Sequence, residues 1–183
     1  METNRLGFCT GHFEMMLGQK NRLSLALMLE SHLGALRKNG YRDILAKAEA
    51  KPRKRAGMQT INDSCFVCSQ IEQAMDGMIN TVLRQWVKDE SFKTLFSEQQ
   101  YICLPHAEKL LTAGHDTLSK KEYPAFKEKV ISLLDRHLEA VGGDVSHFCR
   151  MFDYRNAGPD ADWGNSRDSI ERAILALSTR DFG

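Results

Sequence analysis

The longest regular pattern along the chain places apolar residues every three or four positions between Phe126 and Phe152. These positions are Phe126, Val130, Leu133 or Leu134, Val141, Val145, Phe148 and Phe152, and His137 lies in the same row. Such spacing is typical of an amphipathic helix that turns one face toward a core. The pattern therefore predicts one long helix, and Gly142-Gly143 is expected to weaken or kink it.

Similar periods recur elsewhere. Helical patterns run from Asn21 to about Lys51, from Cys65 to Lys88, from Pro105 to Gly114, and from Ile170 to Leu177. Ser119 and Glu122 have the spacing of a capping box ahead of the long helix. No stretch shows sustained alternation of apolar and polar residues, which a half-buried strand would require. The pattern predicts an all-α helical bundle.

Composition narrows the class of protein. Of 183 residues, 42% are apolar and 27% are charged, and the formal net charge is +1. This balance is ordinary for a globular protein and gives no overall attraction to nucleic acid or membrane. No apolar run reaches the ~18 residues of a membrane span, and the first residues lack the apolar core of a signal peptide. We therefore expect a cytoplasmic protein with neither a membrane nor a nucleic acid as partner.

A basic stretch divides the chain. Lys51-Pro52-Arg53-Lys54-Arg55 is followed by Ala56-Gly57 and then by polar residues. Four basic residues in five suggest a nucleic-acid or lipid contact, but no aromatic residues are interleaved with them, so a solvated linker is favoured. The sequence predicts an N-terminal helical half-repeat over residues 1–56 and a second helical repeat over residues 57–183.

The sharpest chemical motif lies in the second repeat. Cys65-Phe66-Val67-Cys68 and Cys103-Leu104-Pro105-His106 are separated by 34 residues of helical pattern. Three thiolates and one imidazole form a donor set suited to tetrahedral zinc, and residues three apart on a helix share a face. An antiparallel helix pair would bring the two motifs together. We predict a zinc site formed by Cys65, Cys68, Cys103 and His106.

Other chemistries fit the same residues less well. An iron–sulfur cluster usually takes four cysteines, and haem attachment requires histidine where Ser69 stands. The Cys65–Cys68 pair has the spacing of a dithiol redox centre, although no βαβ pattern surrounds it. A hydrolase or transferase with a Cys/His pair would need a base and an orienting group in one pocket, which spacing does not show.

An earlier pair repeats part of this motif. Cys9 and His12 have the spacing of Cys103 and His106, and both pairs lead into a helical run rich in Leu or Met. This suggests a degenerate tandem repeat. In the first copy the matching Cys-x-x-Cys would fall before Met1, so we expect an incomplete site at Cys9 and His12. His147 and Cys149 offer an alternative completion.

Several segments together resemble a bacterial family, domain-of-unknown-function family 6062. They are residues 7–12, 21–26, 31–33, 64–68, 103–106, 152–156 and 163–168. The resemblance covers essentially the whole chain and supports the all-α fold, but it brings no established activity. It also implies a further N-terminal Cys-x-x-Cys segment in family members, which this chain lacks.

The functional expectation follows from the metal motif. A closed four-ligand zinc shell leaves no open position for substrate, which favours a structural metal over a catalytic one. The sequence predicts a zinc-binding module with a binding or scaffold role and an unidentified protein partner, whose oligomeric state the pattern does not indicate. The competing hypothesis is a thiol-based redox enzyme or a metal-dependent enzyme that uses Cys65 and Cys68.

Overall fold

A computed structural model describes residues 2–56, 61–153 and 161–178. Within these ranges the chain forms ten α-helices and no strand, which confirms the predicted all-α fold. The helices are α1 (Glu2–Leu6), α2 (Thr10–Gly18), α3 (Arg22–Ala35), α4 (Tyr41–Glu49), α5 (Pro52–Arg55), α6 (Phe66–Lys88), α7 (Glu90–Ser97), α8 (Leu104–Thr117), α9 (Tyr123–Met151) and α10 (Ser169–Leu177). None of the described helices is both long enough and apolar enough to cross a bilayer.

The chain divides into two compact units, Met1–Asp76 and Gly77–Gly183. The division falls inside α6, whereas the predicted repeats meet at residue 56. At that point the structure forms the short helix α5, and Arg55 donates hydrogen bonds to the carbonyl groups of Ala48 and Ala50. Gly57, the last residue of the predicted linker, lies outside the described residues. The tandem repeat itself stays a prediction.

The second unit is built around an aromatic core. Trp86 of α6, Phe96 of α7 and Phe126 of α9 meet in pairs with ring centroids 5.2–5.8 Å apart. The buried apolar residues of this unit are Ile79, Leu83, Trp86, Phe96, Ala107, Leu110, Phe126, Val130, Leu133, Val141, Met151 and Ala176. Burial of that many large side chains is the main force that stabilises such a helical unit.

The long helix α9 follows the predicted period as far as Val141, whereas Phe152, predicted on the same face, is the C-cap residue and is 70% exposed. Phe126, Val130, Leu133 and Val141 are buried along one face. At its start, the backbone N–H of Glu122 donates to the Ser119 hydroxyl, as the capping-box spacing predicts. The helix is continuous through residues 142 and 143, so the two glycines do not interrupt it. Packing of the buried face outweighs the roughly 1 kcal/mol that each glycine costs relative to alanine.

Ion pairs of Arg172 connect α10 to α9. The Arg172 guanidinium donates to the Asp144 carboxylate of α9 at 2.9 Å and to Asp168, just before α10, at 3.0 Å. A further N–H of Arg172 bonds to the carbonyl oxygen of Asn165. Asp168 therefore pairs with Arg172, one turn further along the helix. Together these hydrogen bonds hold the turn that precedes α10 against α9.

The first unit has no comparable core. Among its described side chains and backbone positions, only Gly7 and Cys65 are buried. None of the residues of helices α1 to α5 is buried. A unit of this size with so few buried apolar groups needs another source of stability, such as a metal. Cys65 belongs to a cluster of donors described below, and the carbonyl of Gly7 accepts a hydrogen bond from Phe66, the residue that follows Cys65.

Close packing at Gly114 provides a test of the second core. A methyl group at Gly114 would lie 2.9 Å from Phe126 Cε1, and the Phe126 ring is fully buried. Gly114→Ala is therefore expected to lower the free energy of unfolding by about 1–3 kcal/mol, because the ring has little room to move. Urea unfolding followed through tryptophan fluorescence measures the change, because Trp86 and Trp163 both lie in the second unit.

The matched control is Gly143→Ala, in an exposed part of α9 where a methyl group would meet nothing within 4 Å. This substitution is expected to raise the free energy of unfolding by about 0.5–1 kcal/mol, because alanine loses less backbone entropy on folding. Equal stability of the two variants would contradict the close approach of α8 and α9.

Candidate metal centre

The first half of the cluster is built at the start of α2. Cys9 is the N-cap residue, with an extended backbone (φ −75°, ψ 163°), and its carbonyl accepts the N–H of Phe13 at 3.0 Å. His12 is the third residue of the helix. This turn places Cys9 Sγ and His12 Nδ1 3.1 Å apart, so both donors point to the same side.

The second half lies at the start of α6. Cys65 immediately precedes the helix and Cys68 is its third residue, so the two thiols share the first turn. The carbonyl of Cys65 accepts the N–H of Ser69 at 3.0 Å. The two halves thus have the same local arrangement. In each, a cysteine lies just before the helix and a second donor lies three residues later, in its first turn.

Backbone contacts hold the two halves together. The N–H of Phe66 donates to the carbonyl of Gly7 at 2.8 Å, and the Ser64 hydroxyl donates to the carbonyl of Leu6 at 2.8 Å. Gly7 adopts a left-handed conformation (φ 63°), which residues with a Cβ rarely adopt. The glycine lets the chain turn sharply, so that its carbonyl faces α6 while Cys9 lies beside the Cys65–Cys68 turn.

The four ligand atoms converge. The donor atoms of Cys9, His12, Cys65 and Cys68 all lie within 4.8 Å of one another. His12 Nδ1 is 3.4 Å from Cys65 Sγ and 3.5 Å from Cys68 Sγ, and the Cys9 and Cys68 sulfurs are 3.9 Å apart. Donors at ordinary zinc bond lengths on a tetrahedron are separated by roughly 3.5–3.8 Å. The spacing of these donors therefore fits a tetrahedral metal ion.

Electrostatics within the cluster also favour a cation. Burial raises the pKa of the Cys65 thiol, but hydrogen bonds from the backbone N–H groups of Cys68 and Cys9 and from their side chains outweigh it, and the pKa falls from 9.0 to about 6. Burial, together with the hydrogen bonds and negative charge of Cys65 and Cys9, raises the pKa of Cys68 to about 11. Once one thiolate forms, the next is opposed by repulsion, which a metal ion would remove.

Aromatic side chains next to the ligands in the sequence pack against one another. The Phe8 ring contacts Phe13, His32 and Phe66 edge to face, with centroids 5.5–6.5 Å apart. Phe8 precedes Cys9 and Phe66 follows Cys65, so the residues next to the ligands pack against each other. Of the three thiols, Cys65 is buried, whereas Cys9 and Cys68 are exposed.

The grouping differs from the one predicted from the sequence. Cys65 and Cys68 lie with Cys9 and His12 in the first unit, whereas Cys103 and His106 lie in the second unit and are not part of the four-donor group. The helical spacing of the motifs left both Cys-x-x-His pairs available to Cys65 and Cys68. Here the contacts of Gly7 and Leu6 with the start of α6 select the earlier pair.

The remaining candidate donors have other surroundings. Cys103 and His106 form a pair of their own, with Sγ and Nδ1 3.0 Å apart. His147 and Cys149 lie in α9, in the second unit, and do not belong to the group around Cys9 and His12. One signal in the sequence pointed to the observed grouping: Gly7-Phe8 before Cys9 and Phe66 after Cys65 supply the turn and the matching aromatic residues.

Fold and site together define an all-α protein with a Cys3His cluster capable of holding a metal ion. A family model described as a family of unknown function (DUF6062) matches residues 1–181, so the chain belongs to that family and the resemblance seen in the sequence is confirmed. No curated protein and no solved structure matches the chain.

The left-handed turn at Gly7 yields a prediction for this site. Gly7→Ala should lower the free energy of unfolding by about 1–3 kcal/mol. The positive φ is unfavourable for alanine, and the added methyl group would lie 2.9 Å from Ile61 Cγ1. Amide hydrogen exchange at Phe66 should become faster as its bond to residue 7 weakens. Gly11→Ala is the control, since a methyl group there meets nothing within 4 Å. Unchanged exchange at Phe66 in Gly7→Ala would contradict this role of the turn.

Proposed function

We propose that this protein is a zinc-stabilised helical module with a binding or scaffold role, in which Cys9, His12, Cys65 and Cys68 hold one structural zinc ion. The metal would fasten the start of α2 to the start of α6. It would act by stabilising the first unit rather than by binding a substrate, since four protein ligands complete a tetrahedral shell.

The distribution of buried residues carries this proposal. Within the described part of the first unit, Gly7 and Cys65 alone are buried, and Cys65 is 6% exposed. The second unit, by contrast, buries large aromatic and aliphatic side chains. A metal bound only by the folded state adds its binding free energy to folding, which suits a unit that lacks an apolar core.

The donor set favours zinc over the alternatives. Three thiolates and one imidazole are a common structural zinc set, whereas iron–sulfur clusters are usually held by four cysteines. Three thiolates around Zn²⁺ leave one net negative charge. The positive ends of the α2 and α6 dipoles lie at the ligands, because Cys9 caps α2 and Cys65 precedes α6.

Exposed apolar residues support a binding role. Leu23 and Leu27, one turn apart on α3, are 71% and 58% exposed. Leucine side chains at this spacing form a stripe that a partner helix can cover. A metal-fastened unit that presents such a stripe is suited to hold a protein partner.

Metal analysis of matched cysteine variants tests the structural role. The native protein is expected to hold one tightly bound zinc ion at this site, and Cys65→Ser should release it and lower the melting temperature of the first unit. Cys149→Ser is the control, because this exposed thiol of the second unit is outside the cluster. Zinc content by mass spectrometry and helicity by circular dichroism provide the two readouts.

The ligand assignment has a separate test. Cys9→Ser should lower the affinity for the tightly bound zinc, while Cys103→Ser should leave that ion in place. If Cys103→Ser releases it and Cys9→Ser does not, the set predicted from the sequence (Cys65, Cys68, Cys103, His106) is the correct one. An unchanged melting curve on complete removal of zinc by a chelator would contradict a structural role altogether.

A thiol-based redox enzyme is the second candidate function. The Cys65–Cys68 pair is joined by a third thiol, with Cys9 and Cys68 sulfurs 3.9 Å apart. In thiol–disulfide exchange, two of these thiols would be oxidised to a disulfide while a partner's disulfide is reduced to two thiols. Reversible formation of a Cys65–Cys68 disulfide in a metal-free, folded protein would favour this candidate.

The pH dependence of alkylation separates the two candidates. If the metal-free first unit stays folded, the low pKa makes Cys65 a thiolate above about pH 6, and its alkylation rate should reach half its maximum near that pH. The rate should fall on acidification because the thiol becomes protonated. If removal of the metal unfolds this unit, as we propose, the midpoint should instead return toward 9.0, the ordinary value.

A further inference from the structure

A second Cys–His pair repeats the local geometry of the first. Cys103 is the N-cap of α8, with an extended backbone (φ −81°, ψ 155°), and His106 is the third residue of that helix. The carbonyl of Cys103 accepts the N–H of Ala107 at 3.0 Å. The corresponding angles at Cys9 are −75° and 163°, and the corresponding hydrogen bond is also 3.0 Å.

The donor atoms agree as closely as the backbone. Cys103 Sγ and His106 Nδ1 are 3.0 Å apart, against 3.1 Å for Cys9 and His12. In each case the first turn of a helix holds thiol and imidazole side by side. The pair on α8 is therefore arranged as one half of a tetrahedral metal site.

The other half is missing from the described part of the chain. Around Cys9 and His12, two thiols complete a group of four donors, but no described Cys, His, Asp or Glu joins Cys103 and His106 to make even a group of three. Two ligands alone do not satisfy zinc, which takes four in structural sites. A zinc ion bound by this pair would therefore need two further donors.

The pair lies at an accessible and partly apolar surface. Cys103 and His106 are each half-buried. Tyr101 is 74% exposed and Leu104 is 43% exposed, so large apolar groups flank the two donors. Tyrosine is enriched at the centres of protein interfaces, where such side chains become buried on association.

We propose that Cys103 and His106 from two copies of this chain bind one zinc ion at a two-fold axis, so that the pair on α8 forms a metal-bridged homodimer. Each copy supplies one thiolate and one imidazole, which gives a Cys2His2 shell. Like residues meet across such an axis, so the same patch with Tyr101 and Leu104 is used by both copies. The ligating role of this pair rests on the proposed zinc role of Cys9 and His12.

A second copy is the occupant best suited to this half-site. Two thiolates and two neutral imidazoles balance the charge of Zn²⁺ completely. No further element is needed, because the missing donors are those that every copy already presents in the required geometry. Assembly would then depend on both zinc and protein concentration, because one ion joins two chains.

Light scattering and metal analysis on the full chain test the dimer. With zinc, the native protein is expected to have the mass of a dimer and to hold about one and a half zinc ions per chain, one at each Cys9 site and one shared. Cys103→Ser and His106→Ala should give monomers with about one zinc per chain, with the dimer weakened at least about tenfold. His115→Ala, at an exposed histidine of the same helix, is the control and should remain dimeric.

The variants also separate this proposal from the proposed function. Cys9→Ser should lose the tightly bound zinc but keep the zinc-dependent dimer, so failure of one site does not imply failure of the other. Circular dichroism and tryptophan fluorescence verify that the second unit of each variant is folded. A monomer at saturating zinc, or a dimer that persists in Cys103→Ser or after chelation, would overturn the dimer.

One further outcome would also overturn the proposed zinc-bridged dimer. If Cys103→Ser loses a whole zinc ion per chain without a change in mass, the remaining ligands come from the same chain. The zinc stoichiometry and the molecular mass together therefore distinguish a bridge between copies from a site within one copy.

Discussion

The first unit depends on the meeting of two helix starts that are far apart in the chain. His12 and Cys65 are separated by 53 residues, and Cys9 and Cys68 by 59. Closing a loop of that length costs conformational entropy, and few apolar contacts are available here to offset it. The hydrogen bond from Phe66 to Gly7 and the donors beside it lie at the point of closure. A metal ion at this point would act as a cross-link between otherwise weakly joined helices.

The two units are stabilised in different ways. In the second, the rings of Trp86, Phe96 and Phe126 exclude water, and the close approach at Gly114 lets α8 pack onto α9. In the first, order concentrates around a few polar donors and backbone hydrogen bonds. With a structural metal as proposed, stability there would depend on the protonation and metal occupancy of the ligands, whereas apolar burial in the second unit is insensitive to both.

Two structurally equivalent turns have different surroundings. Cys9 with His12 faces a second pair of thiols, and Cys103 with His106 has no such partners within the described residues. The same backbone geometry therefore gives a complete donor set in one place and half of one in the other. What a Cys-x-x-His turn can do depends on what the rest of the fold, or another molecule, brings opposite it.

The sequence alone determined the all-α fold, the long helix α9 with its buried face, and the residue types of the metal chemistry. These features arise from spacings within one helix or one turn, which local geometry controls. It also identified Cys65 and Cys68 as half of a donor set. The continuity of α9 through Gly142-Gly143 was decided instead by packing along its buried face.

Only the tertiary structure decided which pair of donors lies opposite Cys65 and Cys68. Cys9–His12 and Cys103–His106 have the same spacing and the same local geometry, so neither the spacing nor the geometry of the helix start distinguishes them. The choice depends on long-range contacts, in which the positive φ of Gly7 directs its carbonyl to Phe66 and brings Cys9 alongside. Helical periodicity reports which face a residue occupies, but it carries no information about which distant turn that face meets.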